Sequence, residues 1–268
     1  MTIYDNVLPR ITMYYNHITT VFPGPPLFIR FFGKYTRSGG RKKIFLLKNS
    51  MDKIILEFLS ALKEHNDREW FQANKPAYDK AKQEFESFIN QLIPGIRSFD
   101  PTIDMITARD CSFRIYRDVR FSGDKSPYKP NMGAYIARGG KNSSLAGYYV
   151  HVEPGMSFLA GGIYMPPADT LKRIREEIFY RTDEFKSIIQ NRDFTRYFSA
   201  FDESDKLKKP PKGFSADFPD IELLKFKSYA VMHAVGDDLI LSDGYVNYAT
   251  ACFRNLYPLN HFFNSIFS

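Results

Sequence analysis

The chain has little cysteine and tryptophan, two of the first and one of the second in 268 residues. Cys111 and Cys252 cannot build a disulfide framework or a cysteine-rich metal centre, and they suit a reduced, cytoplasmic protein. No apolar run reaches the roughly 18 residues that a membrane-spanning helix needs, so no membrane partner is expected. Gly-x-Ser-x-Gly, His-Glu-x-x-His and P-loop patterns are all absent. Hydrolase-triad, zincin and P-loop chemistry therefore have no sequence support, and no cofactor signature is identified. There is no internal repeat or heptad run.

What is present in excess is positive charge. The formal net charge is +7, which at first suggests a polyanion as partner. Residues 1–50, however, carry Arg10, Arg30, Lys34, Arg37, Arg41, Lys42, Lys43 and Lys48 against Asp5 alone, which accounts for the whole surplus. The same segment contains Phe22-Pro23-Gly24-Pro25-Pro26, which no helix survives. It also lacks the uninterrupted apolar stretch of a secretory signal. It reads either as a basic arm that touches nucleic acid or an acidic surface, or as an upstream extension with initiation at Met51. The second reading is preferred, because a domain start follows directly. Residues 51–268 are charge-balanced and read as one domain.

From Met51 the apolar spacing is helical. Ile54, Ile55, Phe58, Leu59 and Leu62 mark one helix face. Asn66 with Glu69 predicts the next helix start, and Asn74 before Lys75-Pro76 a third. Tyr78, Ala81, Phe85, Phe88 and Leu92 continue that helix until Pro94-Gly95 is expected to end it. Between about 103 and 164 the pattern changes to β-branched and aromatic runs, at 103–107, 112–117, 133–138, 147–152 and 157–164. Gly139-Gly140-Lys141-Asn142 and Glu153-Pro154-Gly155 are the turn signals between them. Helices resume after Pro166-Pro167, residues 228–235 read as a further strand, and a helix from Tyr245 is expected to be split at Pro258. The fold class is α+β, a mostly antiparallel meander of about five strands packed with N-terminal and C-terminal helices.

The chemistry is concentrated between Arg109 and Lys141, where eight basic residues face three acids. Arg114, Arg117, Arg120, Lys125 and Lys129 suit a phosphate or carboxylate, and Tyr116, Phe121 and Tyr128 interleave aromatic faces. Strand alternation points Arg114 and Tyr116 one way and Arg117 the other, so the arginines share a side only if the chain turns near Asp118. The plain alternative is structural: Asp118 and Asp124 each pair with an arginine and pin a loop over the sheet. The leading expectation is a phosphate-bearing ligand, a nucleotide or nucleic acid. An enzyme on phosphoester or nucleotide substrates, with Asp118 or Asp124 as base or metal ligand, is the second. A partner-binding protein with a purely structural network is the third.

Two weaker patterns remain. His151 and Glu153 alternate on one strand face and could ligate a metal only with a third ligand such as His233. Lys208, Lys209 and Lys212 lie on a proline-stiffened loop that would join the arginine cluster in one groove if it folded toward it. Trp70 reads as core, and Leu159-Ala160-Gly161-Gly162 as a place of close backbone packing or a bulge.

Three stretches resemble the bacterial domain-of-unknown-function family 2461. They are Arg114-x-x-Arg117-Asp118-x-Arg120-Phe121 with Asp124-Lys125-x-x-Tyr128; Tyr149-x-His151-x-Glu153-Pro154-Gly155 with Gly161-Gly162-x-Tyr164-x-Pro166 and Leu171-x-x-Ile174-Arg175; and Lys209-x-Pro211-Lys212-Gly213-Phe214 with Pro219 and Leu223-Leu224-Lys225. Together they span nearly all of 51–268. The resemblance implies a single cytoplasmic bacterial domain and brings no established activity with it.

Overall fold

The structure, a computed structural model, describes residues 50–267 apart from Val119, Phe121, Ser122, Ala200, Asp202 and Ser204. The basic leader at 1–49 and the expected aromatic contribution of Phe121 lie outside the described residues. Three helices open the domain. α1 (Ile54–Glu64) buries Ile55, Leu56, Phe58, Leu59 and Leu62, as its spacing predicts. α2 (Arg68–Ala73) is capped by Asp67, whose carboxylate accepts from Trp70 N, so Asn66 is not the cap that the capping-box pattern suggested. α3 (Lys75–Arg97) begins with Pro76 in its first turn.

Pro94 does not stop α3, which runs on to Arg97. A proline in the last turn removes only one intrahelical donor. Gly95 serves helix packing instead, since a Cβ there would lie 2.8 Å from Thr250 Oγ1. That threonine belongs to the C-terminal helix, α10 (Tyr245–Asn264), which likewise runs unbroken through Pro258. Leu256, Leu259, Phe262 and Phe263 are buried on both sides of that proline, and their burial holds the helix together across the lost bond.

The sheet has four strands in the order β1-β2-β3-β4, every neighbour antiparallel. They are β1 (Met132–Ile136), β2 (Gly147–Val152), β3 (Phe158–Ile163) and β4 (Tyr229–Ala234). The expected strand at 103–107 is a loop. Arg97 donates to the carbonyls of Ile103 and Asp104, and Thr107 with Asp110 forms a capping box that starts α4 (Ala108–Cys111). The expected strand at 112–117 is an extended arm with only isolated bridges, Ser112 to Ala134 and Tyr116 to Tyr128. Between β3 and β4 the chain makes a helical excursion, α5 (Ala168–Tyr180), α6 (Thr182–Ile189), α7 (Arg192–Thr195) and α8 (Ile221–Leu224). A short α9 (Asp237–Leu241) leads into α10.

One sheet face lies under α10. Tyr148 meets Phe253 there with ring centroids 5.2 Å apart, and Gly161 leaves room for Leu256. Asn260 reaches the same spot, accepting from Gly162 N and donating to Gly147 O at the paired ends of β2 and β3. Gly162 has φ +96°, and a Cβ there would come within 2.1 Å of Tyr229 O. Gly162→Ala is therefore expected to destabilise the domain by at least ~2 kcal/mol, or about 4–8 °C in melting temperature. Gly155 has φ +73° but nothing within 4 Å of the added Cβ, so Gly155→Ala should lose about half as much or less. Equal losses in thermal denaturation would refute the backbone clash.

Candidate functional site

The arm at 112–131 folds back on itself beside β1. Phe113 N donates to Gly133 O, Arg117 N to Pro127 O, and Lys129 N to Ile115 O. Asn66, from the α1–α2 turn, accepts from Tyr128 N at 3.1 Å and donates to Tyr128 O at 3.0 Å. The Tyr128 ring is 2% exposed and stacks on Phe71 with centroids 3.9 Å apart. Its face is thus filled by the core, and it offers no platform for a base. Tyr116 is the exposed aromatic of the pair.

The three arginines part company: alternation of the extended arm separates Arg114 from Arg117, and Arg120, beyond Asp118, turns back onto that carboxylate. Arg117 ion-pairs with Asp124 at 2.7 Å. Arg120 grips Asp118 through two hydrogen bonds of 2.9 and 2.6 Å. The bonds from Arg120 hold the Asp118 carboxyl well below the usual range, and those from Ser126, with Arg117 nearby, lower that of Asp124. Lys125 is exposed on the same loop. Arg114 faces elsewhere, and among the described residues it has no hydrogen bond or ion pair.

Arg114 lines an open cavity of about 480 Å³ between α3, α4 and the arm. Lys82, Arg109, Lys129 and Lys141 line it as well, and among the described residues Glu86 is its one carboxylate. Each cation arrives by a different route. Lys82 and Glu86 lie one turn apart on α3, 3.6 Å from each other. Lys129 follows the clamped Tyr128 and is only 9% exposed. Lys141 donates to Arg109 O at 2.9 Å, which ties the turn at 140–142 to α4. Gly140 permits this approach: its φ is +76°, and a Cβ would lie 2.5 Å from Asp110 O. The Ser112 hydroxyl, also in the lining, is buried without a hydrogen-bond partner among the described residues. Cys111 behind it is pushed up to about 12 by burial, so its thiol is no nucleophile at neutral pH.

The lysine loop does not join this cavity. Leu207 N donates to Lys225 O and Phe214 packs on Phe179 of α5, which sets Lys208, Lys209 and Lys212 beside the β4 side of the sheet. The arm is at the β1 edge. His151, Glu153 and His233 are not brought together either. His151 and Glu153 share a face, as alternation requires, and lie 3.2 Å apart. His233 is on the opposite face, between Tyr197 O at 3.0 Å and Tyr248 Oη at 2.6 Å. Among the described residues no three His, Cys, Asp or Glu side chains are grouped to hold a metal ion.

The profile of the conserved hypothetical protein family DUF2461 matches residues 54–262. The chain belongs to this family. No curated protein and no solved structure matches it. Among the described residues of this DUF2461 member, no helix is long and apolar enough to cross a membrane.

Sequence reasoning placed Arg114 and Lys129 in a cationic site and missed Lys82, Arg109 and Lys141 as their partners. Arg109 and Lys141 were visible as the ends of the positive segment. Lys82 carried no signal beyond its i, i+4 spacing to Glu86, because its place in the cavity is set by how α3 packs.

Two buried histidines have a measurable consequence. Burial holds His151 below its ordinary pKa, with Lys129 adding to this and Glu153 opposing it; burial likewise lowers His233. A neutral His151 with its proton on Nε2 donates to Glu153 and accepts from the Tyr149 hydroxyl at 3.2 Å. In the unfolded chain both rings titrate near ~6.5. Below that pH the unfolded state takes up protons that the folded state refuses, so stability falls as pH falls toward the lowered folded values. Asp118 and Asp124 act in a separate window: their stabilisation is present above the unfolded carboxylate value near ~3.9 and is lost only below it. The urea midpoint should drop between pH 7.5 and 5.5, and less so in the double variant His151→Gln/His233→Gln. A flat midpoint across that interval in the parent protein would overturn the neutral assignment.

Proposed function

We propose that this protein binds a phosphate-bearing ligand in the cavity at Arg114, with Lys82, Arg109, Lys129 and Lys141 as the other charge partners. The observation that carries this reading is five cations around one open cavity with a single carboxylate among them. Like charges held together repel, and an anion placed between them turns that repulsion into attraction. Arg supplies a donor fork that matches phosphate oxygens, and the unpaired Ser112 hydroxyl adds a neutral donor or acceptor. A volume of about 480 Å³ falls within the ~300–1,000 Å³ of small-molecule sites. Nucleotides and nucleic acid both present the phosphate that this cavity would take.

Arg117 and Arg120 belong to a second, structural role. Each is paired with an acid of its own loop, Asp124 and Asp118 respectively. The same pairs weigh against an enzyme in which either aspartate is the base, since a carboxylate held by arginine is a poor proton acceptor near neutrality. A bacterial, cytoplasmic setting accompanies this reading, with Cys111 and Cys252 as separately buried thiols.

Isothermal titration with inorganic phosphate, pyrophosphate and a nucleoside monophosphate tests the site. Binding by at least one of them is expected, and Arg114→Glu should weaken it more than tenfold, about 1.4 kcal/mol. Arg120→Ala should leave it within about twofold. If no anion binds, or if Arg114→Glu has no effect, the reading fails. The slope of log affinity against log salt separates a polynucleotide from a small ligand, being several-fold steeper for the former.

A further inference from the structure

A second hollow, of about 940 Å³, runs along the exposed side of α3 and shares Glu86 and Arg109 with the cationic cavity. The two form one trough whose halves differ in chemistry. One end is cationic. The other is lined by the neutral hydrogen-bonding groups Gln83, Ser87, Asn90, Gln91 and Thr107, with Pro94 and Val246 as its apolar members. Asn90 Oδ1 accepts from Ala108 N, so its amide N–H groups are the part available to the trough. Gln91 donates to Ser87 O, which makes its carbonyl oxygen the available part. The neutral half thus presents both donors and acceptors.

Two details narrow what such a trough fits. Glu86 stands at the junction, where a carboxylate accepts hydrogen bonds from hydroxyl groups and repels a second phosphate. No aromatic side chain lines the neutral half, so a nucleobase has nothing there to stack on. A chain of phosphates, as in a polynucleotide, would have to pass Glu86. A ligand with its charge at one end and hydroxyls along its body would not.

We infer that the trough binds a phosphorylated sugar or polyol, its phosphate among Arg114, Lys129 and Lys82 and its hydroxyls on Glu86, Gln83 and Gln91. This rests on the phosphate reading above and deepens it.

The test compares inorganic phosphate with glycerol 3-phosphate, ribose 5-phosphate and glucose 6-phosphate, alongside a single-stranded oligonucleotide, by titration calorimetry on the full chain. At least one sugar or polyol phosphate should bind tenfold or more tightly than phosphate. Gln91→Ala should erode that preference at least threefold while leaving phosphate affinity unchanged, whereas Glu86→Gln, which also removes the carboxylate beside Lys82, should raise phosphate affinity and narrow the preference at least threefold. Circular dichroism and melting temperature of both variants confirm folding, and Gln83→Ala repeats the test at a position exposed to solvent. If phosphate binds and no sugar or polyol phosphate binds more tightly, this inference is overturned and the phosphate reading stands. If the oligonucleotide binds more tightly than every sugar or polyol phosphate, the inference is also overturned. If neither phosphate nor any phosphorylated compound binds, the underlying reading itself has failed.

Discussion

The site depends on a single amide. Asn66 sits in the turn between α1 and α2 and pairs with both backbone groups of Tyr128, as a neighbouring strand would. The arm that contains Tyr128 needs this. It has two isolated bridges in place of a ladder, and buried backbone groups left without partners each forfeit of order 1–3 kcal/mol. One side chain with a donor and an acceptor in the right geometry satisfies both groups at once. The Phe71 ring then closes over Tyr128 and makes the attachment hydrophobic as well as polar. The consequence for chemistry is immediate, because the next residue is Lys129. Lys129 N donates to Ile115 O, so the backbone beside the clamp is fixed and the nearly buried lysine is placed from there.

The same device secures the far wall. Asn264 accepts from Ala146 N and donates to Ala146 O, one residue before β2, and Asn260 bridges the ends of β2 and β3. These amides dock α10 on the sheet in one register, where apolar packing alone tolerates sliding. α10 in turn holds α3 through the close approach at Gly95 and Thr250. Since α3 carries Lys82 and Glu86, the position of the charged wall is inherited from the sheet through two successive helix contacts. A site assembled this way is rigid without being made of sheet residues.

This explains what could be read from the sequence and what could not. The helix faces at Ile55–Leu62 and Phe85–Leu92 and the strands at β1 to β4 follow from local periodicity, and they are found as expected. The arm at 112–117 has strand composition, yet it becomes a strand only where a partner runs alongside, and it turns to meet its own return at Tyr128. Proline at 94 and 258 misled because Pro94 falls in a last turn, where it removes a single donor, and because buried leucines and phenylalanines on both sides of Pro258 outweigh one missing bond. Asn66 misled for a related reason. Its composition fits a helix cap, and the fold uses it as a tertiary clamp while Asp67 caps the helix. Arg114 and Arg117 separated as strand parity demanded. Lys82, more than twenty-five residues upstream of either, could join them only through tertiary structure.

The distribution of the acids decides where the field is. Three carboxylates lie within the positive segment, and each is engaged by local structure. Asp110 accepts from the backbone N–H and hydroxyl of Thr107 and caps its own helix. Asp118 is held by Arg120, and Asp124 by Arg117 and Ser126 N. None of them lines the cavity. The arginines they neutralise are those that point away from it, while Arg109, Arg114, Lys129 and Lys141 converge with Lys82 around the opening. A modest excess of charge along the sequence therefore becomes a concentrated field in space, because the compensating charges have been drawn off to build the loop. The +7 of the whole chain says nothing of this. Arg117 and Arg120, bound to acids of their own loop, are sorted from the cations that line the cavity.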